Sequence, residues 1–147
     1  MLVTEFMTKV EQVVTVFPET TIFETARRLA SHRISVAVVV TQQNGLLFPL
    51  GIVSNQDIVR HCVAADEPIT REEIVSRIMS KGVATVDLHQ NRDDAAELMA
   101  DFNVHHLVVV QGAQKTLAGL VSSWDIAREV TLDRRAWPYN RSAFLAN

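Results

Sequence analysis

The chain has 147 residues and a formal net charge of -3, and its 48% hydrophobic against 21% charged residues is an ordinary composition for a soluble globular protein. The slight acidic excess disfavours nucleic-acid binding, the single Cys62 excludes an internal disulfide, and no apolar run approaches the roughly 20 residues that span a membrane. Because the first residues also lack the basic start and long apolar stretch of a signal peptide, we expect a cytoplasmic protein without membrane attachment.

The first half of the chain predicts a strand, a helix, two strands and a second helix. Thr21 followed three residues later by Glu24 is a helix start signal, and the near-continuous valines after Ser35 are typical of strands buried on both faces. The predicted elements are strands at 13–16, 36–41 and 47–53, a helix that begins near Thr21 and a helix that begins after Ser54.

The second half repeats this order. Residues 50–60 align with residues 118–128 at an offset of 68, and six of the 11 aligned positions are identical. Upstream the offset is 70, so the first copy has a loop two residues longer. The matching elements are strands at 83–86, 106–110 and 117–121, a helix that begins near Asn91 and a helix that begins after Ser122. We therefore divide the chain into a first copy at 1–66, with its lead-in and linker, a second copy at 67–133 and a C-terminal tail at 134–147.

Two segments fall outside the repeated pattern. Residues 61–77 connect the copies and contain the helix-like run 71–75. The tail mixes arginines with Trp137 and Tyr139, a combination that can stack on nucleic-acid bases. Packing against the protein itself or a partner chain is the favoured role of the tail, and a frayed terminus is the third alternative.

The repeated serine and aspartate have two alternative interpretations. Ser54 and Ser122 precede helix starts, where free amides and the helix dipole bind phosphate, and a serine hydroxyl adds a hydrogen bond. Asp57 and Asp125, three residues later, could accept hydrogen bonds from a ribose diol. The same residues also form ordinary capping boxes that satisfy the amides of the helix itself. The spacing alone leaves both interpretations open.

Gly51 and Gly119 lie inside predicted strands, where glycine marks the close approach of a ligand or of another backbone.

The remaining residues point to no catalytic or metal chemistry. The five histidines share no metal-ligand spacing, and no base is identified beside Cys62. We therefore predict no catalytic residue, no catalytic cofactor and no metal site.

The element order and the doubled Gly-x-x-Ser-x-x-Asp run resemble the cystathionine-β-synthase (CBS) domain, and the tandem copies resemble a CBS pair, or Bateman module. The resemblance covers about residues 5–131. It implies an α/β fold of two β-α-β-β-α repeats with pseudo-twofold symmetry, a homodimer formed through the helices, and a protein that is not an enzyme. Val38 and Val108 stand where the family often has proline, and this departure bears on the shape of the ligand cleft.

The resemblance also implies a set of ligand contacts. In CBS pairs the matching serine commonly contacts phosphate or ribose, and the matching aspartate holds the ribose hydroxyls. His105 joins this set because the family often has Arg or His at the start of the second strand, and strand alternation lets only one of His105 and His106 reach a given cleft. A histidine there would strengthen anion binding as the pH falls towards about 6.5. The implied contacts are Thr15, Val38, Ser54 and Asp57 in the first copy, and Thr85, His105, Val108, Ser122 and Asp125 in the second.

The expected function is regulatory sensing of an adenine nucleotide (AMP, ADP or ATP) or of S-adenosylmethionine, with the signal passed to an effector protein. The alternative is a scaffold or dimerisation module that binds no nucleotide and acts only through protein partners. A small hydrolase or transferase would need a positioned nucleophile and base, and the sequence supplies neither.

Overall fold

The structure, a computed structural model, describes residues 1–132, so the predicted tail at 134–147 lies outside the described residues. The strands are β1 (Thr8–Lys9), β2 (Thr15–Val16), β3 (Val36–Gln43), β4 (Leu46–Ser54), β5 (Ser80–Lys81), β6 (Thr85–Asp87), β7 (His106–Gln111) and β8 (Thr116–Ser122). The helices are α1 (Ile22–His32), α2 (Asn55–Ile58), α3 (Arg92–Phe102) and α4 (Ser123–Leu132), and α2 continues into a π-helical turn at Val59–Val63. The predicted α/β fold and the predicted order of strands and helices are confirmed.

The chain divides into two compact units, each built on a four-stranded sheet. The first-copy unit contains Val10–Val83 and the short segment Gly112–Leu117, and its sheet has the order β2-β3-β4-β5. The second-copy unit contains Met1–Lys9, Ala84–Gln111 and the chain from Ala118 onward, and its sheet has the order β1-β8-β7-β6. β2 and β6 pair in parallel with β3 and β7, as expected for strands joined through a helix.

Each sheet takes one edge strand from the lead-in of the other copy. β5 belongs to the start of the second copy in sequence, yet it pairs antiparallel with β4, with Lys81 opposite Gly51. β1 opens the first copy and pairs antiparallel with β8, with Lys9 opposite Gly119. The predicted boundary between 66 and 67 therefore describes the sequence duplication, whereas each compact unit contains the lead-in strand of the other copy.

The signature glycines make this exchange sterically feasible. A Cβ atom placed on Gly51 would lie 2.6 Å from the carbonyl oxygen of Ser80 and 3.0 Å from Sδ of Met79. A Cβ atom on Gly119 would collide in the same way with the carbonyl oxygen of Thr8. Of the two interpretations that the sequence left open for these glycines, the structure shows the close approach of another backbone.

The linker does not form the helix suggested by its composition. Arg71 and Glu73 instead turn their carbonyl oxygens to the start of α1, where they accept hydrogen bonds from Phe23 N and Ile22 N at 2.8 Å each. Thr21 completes this helix start, because its Oγ1 accepts from Glu24 N at 3.0 Å, as predicted. The helix-like interpretation of residues 71–75 was wrong, because capping α1 requires non-helical backbone carbonyls.

Both faces of the central strands are buried. On one face, apolar residues from strands and helices form a cluster in each unit. The first cluster includes Ile22, Leu29, Ala37, Val39 and Val53, and the second includes Ala95, Met99, Leu107, Val109 and Val121. The alternate residues Val36, Val38, Val40 and Val108 point to the other face and are also buried. The predicted burial of the valine-rich strands on both faces is confirmed.

Candidate functional site

Ser54 and Asp57 form a reciprocal capping box at the junction of β4 and α2. Ser54 Oγ accepts from Asp57 N at 3.1 Å, and Asp57 Oδ2 accepts from Ser54 N at 2.8 Å and from Ser54 Oγ at 3.0 Å. Asp57 Oδ1 faces the guanidinium of Arg60 at 3.8 Å, and the Asp57 side chain is 13% exposed. One carboxylate oxygen therefore holds the helix start, and the other remains beside a positive charge.

The second copy repeats this arrangement at the junction of β8 and α4. Ser122 N donates to Asp125 Oδ2 at 2.8 Å, and Asp125 N donates to Ser122 Oγ at 3.1 Å. Arg128 Nη2 donates to Asp125 Oδ1 at 3.4 Å, and the Asp125 side chain is again 13% exposed. Both serine–aspartate pairs thus have the capping geometry, with one carboxylate oxygen of each aspartate directed to an arginine.

Strand register places the other predicted residues of the first copy on one sheet face. Thr15 pairs with Val38 across β2 and β3, and Val38 pairs with Ile52 across β3 and β4. Ser54 is two residues beyond Ile52, so strand alternation puts its side chain on the same face as those of Thr15 and Val38. Thr15 and Ser54 are partly exposed, whereas Val38 is completely buried.

The matching face of the second copy carries Thr85, Val108 and Ser122. Thr85 pairs with Val108 across β6 and β7, and Val108 is 1% exposed. Leu107, Val109 and Val121 belong to the apolar cluster on the opposite face, so alternation directs their strand neighbours to this face. The structure therefore brings the predicted threonine and serine of each copy to one face of its own sheet.

His106, and not the predicted His105, shares this face of the second copy. His106 is the first residue of β7, two positions before Val108, and its side chain is half-buried. His105 precedes the strand, and its side chain is exposed while its carbonyl oxygen accepts from Ser123 N at 2.8 Å. The sequence predicted that this strand begins at residue 106, but it did not determine that the face carrying His106 is the one shared with Thr85 and Ser122.

The electrostatic surroundings of His106 also connect it with the serine–aspartate pair. Burial lowers the pKa of His106 below its ordinary value of 6.5, and the neighbouring His105 lowers the pKa further, whereas Asp125 raises it. The imidazole is therefore near enough to Asp125 to interact with its carboxylate. The equivalent residue in the first copy is Val36, which pairs with Ser54 in register and is 2% exposed.

Arg28 is a charged residue of the first copy that the sequence did not single out. Its Nη1 donates to the backbone carbonyl oxygen of Thr15 at 2.6 Å, and its side chain is half-buried. The contact lies at β2, an edge strand of its sheet, and a charged side chain there satisfies an edge carbonyl. At an offset of 70 the second copy has Leu98, so the only sequence signal was a charge difference between aligned positions.

Within residues 1–132, no group of three His, Cys, Asp or Glu side chains is arranged to hold a metal ion. Over the same residues, no helix is both long and apolar enough to cross a membrane. Cys62 lies in the π-helical turn after α2 and packs against the apolar cluster of its unit, and burial raises the pKa of its thiol. This environment favours the neutral thiol over the reactive thiolate.

The comparisons with known proteins agree with the repeat and with the fold. Residues 3–64 and 75–132 both match the family model for the CBS domain. The chain belongs to the CBS domain family. It is 31% identical over 120 residues to the CBS domain-containing protein YhcV of Bacillus subtilis, and this match covers 82% of the chain and 80% of that protein. CBS domains are generally regulatory modules and not catalytic ones.

Two solved structures of CBS proteins contain adenosine compounds. The CBS domain protein PAE2072 from Pyrobaculum aerophilum, complexed with AMP, superposes with a TM-score of 0.75 at 26% identity, covering 92% of this chain and 95% of that one. The CBS domain pair of protein MJ0100, in complex with 5′-methylthioadenosine and S-adenosyl-L-methionine, gives a TM-score of 0.73 at 26% identity, covering 88% and 94%. CBS pairs similar to this chain therefore bind adenosine ligands.

Proposed function

We propose that this CBS pair is a regulatory module that senses an adenine nucleotide or S-adenosylmethionine and signals to an effector protein. The observation that carries the proposal is the serine–aspartate pair, repeated at both strand-to-helix junctions on a chain that is similar to structures containing AMP and S-adenosylmethionine. The predicted contacts belong to this proposal, and His106 is added to them; they are Thr15, Val38, Ser54, Asp57, Thr85, His105, Val108, Ser122 and Asp125.

The capping geometry and ligand binding are compatible because each carboxylate has two oxygens. Oδ2 of Asp57 and Asp125 accepts the serine amide, which fixes the orientation of the carboxylate. Oδ1 faces an arginine only at 3.8 Å and 3.4 Å, so a ribose hydroxyl could approach it as a donor. The capping box then holds the oxygen that recognises the ligand in a defined position before binding.

Thermal denaturation of the full chain with AMP, ADP, ATP and S-adenosylmethionine tests the proposal. A ligand that binds only the native state at 100 times its Kd stabilises that state by about 2.7 kcal/mol, which raises the Tm by several degrees. We expect at least one of the four compounds to raise the Tm. If none does so at millimolar concentration, the protein is the alternative, a scaffold that acts only through protein partners.

Variants of three capping boxes separate binding from folding. Asp125→Asn and Asp57→Asn remove a charge from the proposed sites, whereas Asp94→Asn makes the same change in the box that Asn91 and Asp94 form at the start of α3. We expect all three substitutions to lower stability, but only the first two to reduce the Tm shift caused by ligand. An equal loss of ligand response in Asp94→Asn would contradict the assignment of the binding residues.

The same proposal includes a homodimer formed through the helices. Several helical residues expose large apolar side chains, a pattern typical of surfaces that bind protein. Trp124 on α4 is 69% exposed and Phe102 on α3 is 59% exposed. We expect light scattering to give twice the chain mass, and Trp124→Glu to weaken the dimer. A cytoplasmic location also belongs to the proposal, since the free thiol of Cys62 suits a reducing compartment.

A further inference from the structure

We propose that the exchanged strands β1 and β5 are a conformational link between the two copies. A shift at the end of β4 or β8, where one serine–aspartate pair lies, is passed along the exchanged strand to the first strand of the other copy. The link is a property of the fold and does not require a ligand. Its use for communication between two ligand sites rests on the proposed function.

β5 connects the end of β4 with β6. Lys81 lies opposite Gly51, which precedes Ser54 by three residues, and Gly82, Val83 and Ala84 are all that separate Lys81 from Thr85. The Ala84 carbonyl oxygen accepts from Val108 N at 3.0 Å, so the connection is bound to the second-copy sheet where it arrives. Because the connection is only three residues long and is hydrogen-bonded at its end, a displacement of β5 should also displace β6.

β1 makes the equivalent connection in the opposite direction. Lys9 lies opposite Gly119, which precedes Ser122 by three residues. The chain then passes through the 3-10 turn at Val10–Gln12, and the Val14 carbonyl oxygen accepts from Val38 N at 2.9 Å directly before Thr15. Since each copy influences the other through one strand, the coupling is reciprocal, as linkage requires of any coupling between two sites.

The contacts at the glycines leave little room for independent movement. A Cβ on Gly51 would meet both Ser80 O and Met79 Sδ, so even a methyl group fills the space between β4 and β5. Before β5, Val75 and Ile78 are buried in the apolar cluster of the first-copy unit, which anchors the lead-in at its other end. Close-packed elements of this kind transmit a displacement because they cannot absorb it.

Amide hydrogen exchange on the full chain carrying Gly51→Ala tests the link without any ligand. We expect the β6 amides of Thr85–Asp87 to exchange about tenfold faster relative to the β7 amides of Leu107–Val109, although the substituted residue belongs to the other copy. Gly45→Ala is the control for strain outside the link, because Gly45 lies in the β3–β4 turn with a φ of +78°, where an added Cβ strains the backbone but meets no atom within 4 Å. Its effect should stay within that turn.

A Gly-Ser insertion between Gly82 and Val83 should disconnect the link. In the insertion variant, Gly51→Ala should still loosen β5 but no longer change exchange at β6. Unchanged β6 exchange in Gly51→Ala alone, or a β6 effect that persists after the insertion, would overturn the proposal. If Gly51→Ala does not fold, Ile52→Ala perturbs the same β4–β5 pairing from within the first copy, because Ile52 lies opposite Ser80, and it decides the question by the same criteria.

Calorimetric titration with AMP separates this inference from the proposed function. If AMP binds, Gly51→Ala should change the affinity at the second-copy site, identified as the component lost in Asp125→Asn, and the insertion should restore that affinity. If AMP does not bind, the titration is repeated with ADP, ATP and S-adenosylmethionine. Absence of binding by all four compounds counts against the proposed function only, because hydrogen exchange still decides whether the strands are linked.

Discussion

The two copies share their backbone plan and differ in where each carries positive charge. At the start of the central strand the first copy has the buried Val36, and the second has the half-buried His106 near Asp125. On the first long helix the first copy has Arg28, bound to the Thr15 carbonyl, and the second has Leu98. Duplication thus preserved the framework of caps, strands and signature glycines, while the charges beside it diverged.

This difference implies two sites that are equivalent in geometry but not in charge. The serine–aspartate boxes agree to within 0.1 Å in their two backbone-to-side-chain hydrogen bonds, which measure 2.8 and 3.1 Å in each copy. An anion at the second site would be close to a titratable imidazole, whereas an anion at the first site would have none at the matching position. We therefore expect ligand preference and pH response to differ between the copies.

The largest expected effect tests whether the two units unfold together. Leu29 and Leu107 are at most 1% exposed in their respective clusters, so Leu29→Ala and Leu107→Ala should each cost about 2–5 kcal/mol of unfolding free energy. Because each sheet contains a strand from the other copy, both variants should unfold in one transition. Urea denaturation followed by circular dichroism and by tryptophan fluorescence checks this, since both tryptophans lie after residue 84. A Leu29→Ala transition that leaves the fluorescence midpoint unchanged would contradict it.

A smaller effect tests whether the two capping boxes are equivalent. Ser54→Ala and Ser122→Ala each remove the acceptor for the aspartate amide, and we expect each to cost about 1 kcal/mol. Ser54→Thr and Ser122→Thr keep the hydroxyl and should retain most of the stability. Urea denaturation of the four variants measures these costs. If one alanine variant is neutral, that box does not hold its helix start, and its serine is kept for another reason.

The smallest expected effect is the pH dependence of stability, which tests the difference between His106 in the second copy and Val36 in the first. The pKa of His106 is lowered in the folded protein, so the unfolded chain binds a proton below about pH 6.5 where the folded chain does not. Stability should therefore fall as the pH drops through this range, with a slope of at most about 1.4 kcal/mol per pH unit from this group. His106→Val, which copies Val36, should remove that slope. Urea denaturation at pH 7.5 and 5.5 compares the variant with the original chain.

His105→Ala is the control for this measurement. It removes one of the two causes that lower the pKa of His106 but leaves the burial of the imidazole in place. The variant should therefore reduce the pH dependence in part. Identical pH dependence in the original chain and in His106→Val would show that His106 takes up its proton equally in both states.

Local sequence signals predicted the helix starts correctly. Thr21, Ser54, Asn91 and Ser122 all cap helices in the structure, because a cap depends on residues only three positions apart. The valine-rich strands were equally predictable, since a continuous apolar run needs burial on both faces wherever it lies. These signals fixed the elements that carry the serine–aspartate pairs.

The exchange of strands could not be predicted, because it depends on pairing between distant residues. β1 and β5 have two residues each, too few to show an alternating pattern. Gly51 and Gly119 indicated a close approach, but not the identity of the approaching group. His106 was missed for a similar reason: strand alternation and the start of β7 were predicted, while the face of β7 that is shared with Ser122 was not. Both gaps concern register, which is set by pairing partners and not by local composition.

The edge strands supplied by the opposite copy also bear on how such a chain could arise. A single copy with this pattern would have a sheet without its edge strand and a lead-in strand without a sheet. Two separate chains could complete each other only by association, at a cost that depends on protein concentration. Gene fusion makes the pairing intramolecular, at an effective concentration in the millimolar range or above. After fusion neither copy can be deleted without harm to the other. The remaining copy would lose the edge strand of its sheet, and its own lead-in strand would have no sheet to pair with.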